Sequence, residues 1–144
     1  MHILKIFFLL YIMNIVSIII HECSHLLTSL LFFGGYEEIS IGNLFYFHFT
    51  KKIKVSPIIF SGYVSVGQEK IIEFSYVKIC VFFLIGPFAS FVLGYLFYFQ
   101  VSTLLFRLIG IYNMLSAIIF LLPLPNTDMY NMIRVVSYKV KTEK

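Results

Sequence analysis

Charged residues are scarce in this chain: they make up 12% of its 144 residues, and only 7 of them are Asp or Glu. A soluble domain usually carries about 25% charged residues. Hydrophobic residues reach 60%, whereas a chain of this size buries only about 60–70% of the surface that its unfolded form exposes. The composition therefore argues against a soluble globular monomer, a disordered chain and a basic nucleic-acid binder. The length favours a single domain.

Cysteine is also rare. The two cysteines, Cys23 and Cys80, both lie in apolar stretches. Disulfide scaffolds are rich in cysteine and occur in secreted proteins, so this sequence does not predict one. We interpret both residues as thiols, because a free cysteine commonly behaves as a small buried hydrophobic residue.

Three apolar segments are long enough to cross a bilayer, which takes about 20 helical residues. They run from about 3 to 33, from 77 to 99 and from 103 to 122. The sequence therefore predicts a mostly α-helical, polytopic membrane protein with three transmembrane helices in one domain, 1–144. The start of the chain also has features of a cleaved signal peptide, but no small-residue cleavage site follows and hydrophobicity resumes after residue 25.

The stretch between the first two spans, 34–76, is rich in aromatic and β-branched residues and has a lysine pair near its middle. This composition predicts a β-hairpin with strands at about Leu44–Thr50 and Ile53–Ile59, turning at Lys51-Lys52. The strands are too apolar for a free aqueous loop, so we expect them to lie against the membrane face. The last segment, 126–144, is basic and amphipathic, which predicts a short helix at the membrane interface.

Basic residues indicate an orientation. If the chain has three spans, all but two of its 11 lysines and arginines lie in or beside 34–76 and 126–144; the exceptions are Lys5 and Arg107. Lysine and arginine concentrate on the cytoplasmic side of membrane proteins. The sequence therefore predicts a multi-pass protein of the cell membrane with an external N-terminus, a cytoplasmic loop and a cytoplasmic tail.

An H-E-x-x-H pattern, His21-Glu22-Cys23-Ser24-His25, interrupts the first span. Residues four apart share a helix face, so both imidazoles can reach one metal ion. Glu22 lies beside them and can accept a proton from a water on that metal. Two neutral imidazoles and a carboxylate suit one Zn²⁺ ion with an open fourth position. Because ionisable groups are unfavourable in a membrane span, we favour a metal site over a chance match or a hydrogen-bonded polar cluster.

A third protein ligand is needed, and the chain has few acids to supply it. Asp128 follows two prolines at the inner end of the third span, where a proline-broken segment can turn a carboxylate back toward the site. Four further acids follow the first span or lie in a polar connection: Glu37, Glu38, Glu69 and Glu73. We predict Asp128 as the ligand; the alternative is a solvated or helix-capping acid.

At these residues the chain resembles the site-2 protease family of intramembrane zinc metalloproteases. Four blocks match in chain order: HECSH at 21–25, FSGYVSVG at 60–67, IGPFASFVLG at 85–94 and FLLPLPNTDMYN at 120–131. The first and last blocks are the specific ones. The resemblance implies that His21, His25 and Asp128 hold one Zn²⁺ ion and that Glu22 is the catalytic base. It also implies three core spans with the metal below the cytoplasmic surface.

The chain departs from the family pattern at three positions. Phe120 and Ser90 stand where the family has Asn, and Met129 stands where Gly follows the Asp. Without Asn at position 120, the chain lacks a side chain that the resemblance implies for contacts to the substrate or the oxyanion. Asn113 lies about two helical turns before Phe120 and is a candidate replacement. Gly62 and Tyr63, in the second block, are further candidates for substrate binding.

The sequence therefore predicts a zinc-dependent endopeptidase that hydrolyses peptide bonds in or near the membrane-spanning segment of a small membrane peptide or single-span protein. A strand of the hairpin, either Leu44–Thr50 or Ile53–Ile59, would pair with the unwound substrate. One alternative is a catalytically inactive protein of the same fold that binds peptides or partners. Another is a small transporter or immunity-type protein whose polar cluster lines a path. The sequence does not indicate an oligomeric state.

Overall fold

The structure, a computed structural model, describes residues 2–42, 45–59 and 61–143. Residues 1, 43–44, 60 and 144 lie outside this description. Three sequence predictions therefore reach beyond it: the start of the strand at Leu44, the start of the second family block at Phe60 and the end of the tail at Lys144.

Most of the described chain is helical, as predicted. The helices are α1 (His2–Phe33), α2 (Gln68–Ile72), α3 (Tyr76–Gln100), α4 (Leu104–Phe120) and α5 (Asp128–Thr142). The helix α1 ends at two glycines with positive φ, Gly34 at 67° and Gly35 at 145°, a backbone conformation that glycine adopts most readily. The amide of Gly35 donates to the carbonyl oxygen of Ser29 at 3.2 Å, which closes the last turn.

Two helices are long and apolar enough to cross a membrane: the segment Leu4–Phe33 of α1, and α3. The helix α4 is apolar as well but has 17 residues, fewer than the roughly 20 that a span needs. It is shorter than the predicted segment because the chain tightens before Pro123. There the amide of Leu122 donates to the carbonyl oxygen of Ile119, three residues back. A third span therefore stays a prediction, while a helical protein with two candidate spans agrees with the sequence.

A small sheet connects α1 to α2. Its strands are β1 (Glu38–Ile41), β2 (Phe47–His48), β3 (Ile53–Val55) and β4 (Gly62–Ser65), in the order β2-β3-β1-β4. The antiparallel pair β2–β3 is a short form of the predicted hairpin. The sequence analysis missed β1 and β4. The strand β1 pairs in parallel with β3 and antiparallel with β4, so four strands form the sheet.

Of the two segments expected to offer a free edge, Leu44–Thr50 contains the edge strand β2, whereas Ile53–Ile59 contains the inner strand β3. Strand β3 lies between β2 and β1, so both of its edges are occupied and Ile53–Val55 cannot add a further strand. The expectation that this segment offers a free edge is therefore wrong. The edge strands are β2 and β4, and β4 contacts α1. In the described part of the sheet, the edge strand β4 contacts the helix that carries the H-E-x-x-H pattern.

The helix α3 is the centre of the bundle and contacts α1, α4 and α5. Its approach to α4 depends on two glycines, since a Cβ at Gly94 would lie 2.7 Å from the carbonyl oxygen of Gly110, and the reverse distance is also 2.7 Å. A buried aromatic cluster joins the other end of α3 to α1 and to the inner face of α5; its buried members are Phe33, Ile71, Ile79, Phe82 and Phe83. This packing holds α5 against the helices that carry the polar site.

Candidate metal centre

The helix α1 presents the two histidines of the H-E-x-x-H pattern on the face that packs against α3. Both side chains are buried, with His21 6% exposed and His25 4% exposed. Their Nε2 atoms lie 3.2 Å apart. The spacing of four residues therefore places both imidazoles at one point, as the sequence predicts.

Asp128 reaches the same point from the far end of the chain. Its Oδ2 lies 3.1 Å from Nε2 of His21, and its Oδ1 lies 3.4 Å from Nε2 of His25. The two imidazoles and the carboxylate form a group whose potential ligand atoms all lie within 4.8 Å of one another. The three predicted ligands are thus brought together from α1 and α5. Among the described residues, no other set of three or more His, Cys, Asp or Glu side chains forms such a group.

The segment between α4 and α5 explains how the carboxylate is turned inward. Asn126 has a φ of 68°, which reverses the chain. The hydroxyl of Thr127 donates to the carbonyl oxygens of Leu122 and Leu124, at 2.6 and 2.7 Å. The same oxygen accepts from the amide of Tyr130 at 3.3 Å and caps α5. Asp128 is therefore the first helical residue after a tightly bonded turn.

At the other end of α5, Lys139 binds the helix to the end of α2. Its Nζ is buried against α2 and donates to the carbonyl oxygens of Ile72 and Phe74, both at 2.6 Å. These carbonyls would otherwise lack partners at the end of α2. The two ends of α5 are thus tied to different parts of the fold, which limits the movement of Asp128.

The separations of the three side chains are close to those of ligands around a small ion. With ligand bonds of about 2.0–2.1 Å, the edges of a tetrahedron around Zn²⁺ measure about 3.3 Å. The two Nε2 atoms lie 3.2 Å apart, Oδ2 of Asp128 lies 3.1 Å from Nε2 of His21, and Oδ1 of the same carboxylate lies 3.4 Å from Nε2 of His25. Nε2 of a neutral histidine and the carboxylate both carry lone pairs, so their convergence requires a cation or a proton between them. A metal ion satisfies all three at once.

The far nitrogens of the two imidazoles have partners of their own. Nδ1 of His25 donates to the carbonyl oxygen of Phe82 at 2.7 Å, which leaves Nε2 of the neutral ring free to bind a metal. Nδ1 of His21 lies 2.9 Å from Oγ of Ser90. Ser90 appeared in the sequence only as a departure from the family pattern. Its contact with His21 was not predicted, because this contact depends on how α3 packs against α1.

Gly86 leaves space for an ion beside the imidazoles. A Cβ at this position would lie 2.6 Å from Nε2 of His21 and closer still to Nε2 of His25. The helix α3 can therefore pack against α1 only with glycine here. The space that a methyl group would fill adjoins Nε2 of both imidazoles.

Glu22 lies beside this centre and is only 6% exposed. Within the described part of the chain, its Oε2 is buried without a hydrogen-bond partner. Gly62 of β4 packs directly on the side chain, since a Cβ there would lie 2.7 Å from Cγ of Glu22. A buried carboxylate oxygen without a partner is unusual in a structural role. Such an oxygen is free to accept a hydrogen bond from a water molecule.

A cavity of about 450 Å³ opens next to the imidazoles. Helices α1, α3 and α4, strand β4 and the start of α5 all contribute to its walls. The three residues that the sequence suggested for substrate binding, Gly62, Tyr63 and Asn113, all line it. At the wall formed by α1 and α4, the hydroxyl of Tyr112 donates to Oδ1 of Asn14 at 2.8 Å.

Two aromatic or amide side chains of α4 shape the cavity. Asn113 is 2% exposed, and its Nδ2 donates to the carbonyl oxygen of Ile109 at 2.9 Å. The ring of Phe120 lies against His21, with centroids 4.9 Å apart. Phe120 therefore packs against the imidazole of His21, at a position where the family pattern has an amide.

Tyr63 is oriented by an exposed pair on the sheet. Its hydroxyl donates to Glu38, and the other oxygen of Glu38 accepts from Nζ of Lys54 at 2.8 Å. The bond to Glu38 raises the pKa of Tyr63 to about 12. The bonds from Lys54 and Tyr63 lower the pKa of Glu38. The phenol therefore remains protonated at neutral pH, at the rim of the cavity.

No protein-family model and no curated protein matches this sequence.

Proposed function

We propose that this chain is an intramembrane zinc endopeptidase of the site-2 protease type. One observation carries the proposal: two imidazole nitrogens and a carboxylate converge on one point beside a buried glutamate and an open cavity. The chain has two apolar, span-length helices. Ionisable side chains are costly within a membrane, and where they occur they usually mark a functional site.

In this proposal His21, His25 and Asp128 hold one Zn²⁺ ion. When bound, the ion would polarise a peptide carbonyl and make a water molecule more acidic. Glu22 accepts the proton of the water as it attacks the carbonyl carbon, and then transfers that proton to the leaving nitrogen. Its Oε2, which has no other partner in the described residues, is the atom that we assign to this transfer.

The remaining residues of the chain position the reacting groups. Phe82 and Ser90 hold the outer nitrogens of the two imidazoles. Asn113 offers an amide group at the cavity wall, where it would contact the substrate or its developing oxyanion. In this respect it would replace the amide that the family pattern has at position 120.

We assign the substrate to the class of small membrane peptides or single-span proteins. Peptide bonds in a helix are already hydrogen-bonded, so the substrate must unwind before cleavage. The edge strand β4 contacts α1 and includes two cavity residues, Gly62 and Tyr63. It is the strand that we propose to pair with the extended substrate, in place of the segments expected from the sequence.

The orientation follows from the charges. The basic residues of the sheet and of α5 favour a cytoplasmic location for both, and we propose three spans with the N-terminus outside. Water would then reach the cavity from the cytoplasmic side.

The decisive experiment is cleavage of a single-span reporter by the full chain in reconstituted vesicles. Glu22→Gln should lower the rate by at least about 10²-fold, because the general base is lost, while the bound zinc remains. Asp128→Asn should lower both the rate and the zinc content. The matched control, Glu69→Gln, removes an exposed carboxylate from α2 and should change neither.

The same measurements separate the catalytically inactive alternative. Cleavage that persists in both variants would overturn the assignment of these residues. A well-folded wild-type protein that binds zinc without cleaving any single-span reporter would favour a binding protein. The packing of Phe120 against His21 is the observation that keeps this second candidate open.

A further inference from the structure

A second cavity lies outside the metal centre. It measures about 350 Å³ and lies between α2 and the outer face of α5. Its walls are formed by Ile72, Arg134, Val135, Ser137, Tyr138 and Lys141. We call it the α5 groove.

The α5 residues of the groove form one polar stripe along the helix. Arg134 and Lys141 are seven residues apart, so they share a face about 10 Å apart, and Ser137 and Tyr138 lie between them. All four side chains carry hydrogen-bond donors, and two carry a positive charge. Among the described residues, no carboxylate lines the groove. This arrangement suits a ligand that is anionic and offers only acceptors, which is the chemistry of a phosphate.

The two cations of the groove are not used elsewhere in the described part of the chain. Neither Arg134 nor Lys141 forms an ion pair or a side-chain hydrogen bond there. The nearest acid on α5, Glu143, is bound by Lys139 at 3.3 Å and by the hydroxyl of Tyr76 at 2.5 Å. The positive charge of the groove is therefore uncompensated.

The surroundings of the groove identify a lipid as the source of the phosphate. Ile72 belongs to α2, four residues before the start of α3, so the groove lies level with the end of a span-length helix, where lipid headgroups are. Beside the polar stripe, Ile133 and Val140 of α5 are 47% and 40% exposed. An apolar strip beside a cationic one is typical of a helix at a membrane interface.

We propose that the α5 groove binds the headgroup phosphate of an anionic phospholipid. Arg134 and Lys141 contact the phosphate oxygens, while the hydroxyls of Ser137 and Tyr138 complete the set of donors. Ile72 and Val135 contact the glycerol and the upper acyl carbons. The cytoplasmic leaflet, to which the basic residues of the chain are assigned, is the one that carries anionic lipids.

The test measures the association of spin-labelled phosphatidylglycerol and phosphatidylcholine with the full chain in phosphatidylcholine vesicles. Wild type should prefer the anionic lipid, and the preference should weaken at high salt. The double variant Arg134→Gln/Lys141→Gln should reduce the preference by about fivefold for each charge removed. The matched control Lys51→Gln/Lys52→Gln removes the same charge from the exposed turn before β3 and should retain the preference.

Two outcomes would overturn the proposal. One is an equal loss in the two double variants, which would show a general attraction to charge. The other is displacement of the labelled lipid by inorganic phosphate at constant ionic strength, which would assign the groove to a free anion. All four substituted side chains are exposed, and circular dichroism verifies that the variants fold. Because the readout is lipid association, its failure leaves the proposed protease activity standing.

Discussion

Two clusters of acidic and basic side chains in this protein differ in their surroundings. At the metal centre, His21, His25 and Glu22 are each at most 6% exposed. On the sheet, Glu38, Lys54 and Tyr63 also form a bonded set, but at the surface. Burial removes the water that would otherwise satisfy these groups, so each buried atom depends on a specific protein partner. Similar polar contacts should therefore be more sensitive to substitution in the buried cluster than in the surface cluster.

The largest effect is expected from Gly86→Ala. The new methyl group would occupy the space beside both Nε2 atoms, so the zinc content of the folded protein should fall below about a tenth of wild type, as expected when ligand geometry is lost. Alanine favours a helix more than glycine does, so the helical content should not fall. Metal analysis after mild detergent purification measures the result.

Gly94→Ala is the matched control for Gly86→Ala on the same helix. Its methyl group would meet the backbone of Gly110, so it should lower the thermal stability but preserve the zinc content per folded protein. A full complement of zinc in Gly86→Ala would mean that the ion does not bind in this space.

An intermediate effect is expected from Ser90→Ala, which removes the oxygen 2.9 Å from Nδ1 of His21. Loss of an outer partner of a metal-binding histidine typically lowers metal affinity by about 10–100-fold. Competition with a chelator measures this change. Ser102→Ala, at an exposed position between α3 and α4, should bind zinc like wild type. Equal affinities in the two variants would exclude Ser90 as a positioning residue.

The smallest effect is expected from Glu38→Gln on the sheet. The pKa of Glu38 is lowered in the folded protein by the bonds from Lys54 and Tyr63. Its contribution to stability is therefore present at neutral pH and is lost as the pH falls through the folded-state pKa. Thermal unfolding should show a small difference between wild type and variant at pH 7, and none at acidic pH. A difference that grows on acidification would contradict this account.

Part of the fold could be read from the chain itself. The apolar runs at 3–33 and 77–99 correspond to α1 and α3, because long hydrophobic segments leave few alternatives to a helix. The sheet was harder to predict. Strands β1 and β4 have four residues each, and their pairing joins segments 27 residues apart at Glu38 and Ser65. Such short strands carry little periodicity, so the prediction found one hairpin where the fold has four strands.

The candidate site also contains residues that the sequence predicts and residues that it does not. The spacing of His21 and His25 places both on one face of any helix, so local geometry alone brings them together. Ser90, Gly86 and the α5 groove could not be predicted, because each depends on how two helices pack. Asp128 falls between these cases: its proximity to the proline-broken turn was visible in the sequence, whereas its distance from the imidazoles was not.

The sequence by itself determined a hydrophobic, helical chain with a histidine pair and a glutamate on one helical turn, because composition and a 3.6-residue period act locally. Only the tertiary structure decided that a carboxylate 107 residues beyond His21 lies against its imidazole, and that β4 rather than β3 borders the cavity. These features depend on the close approach of α3 to α1 at a glycine and on the anchoring of α5 at both ends. Such contacts arise only when distant segments pack together.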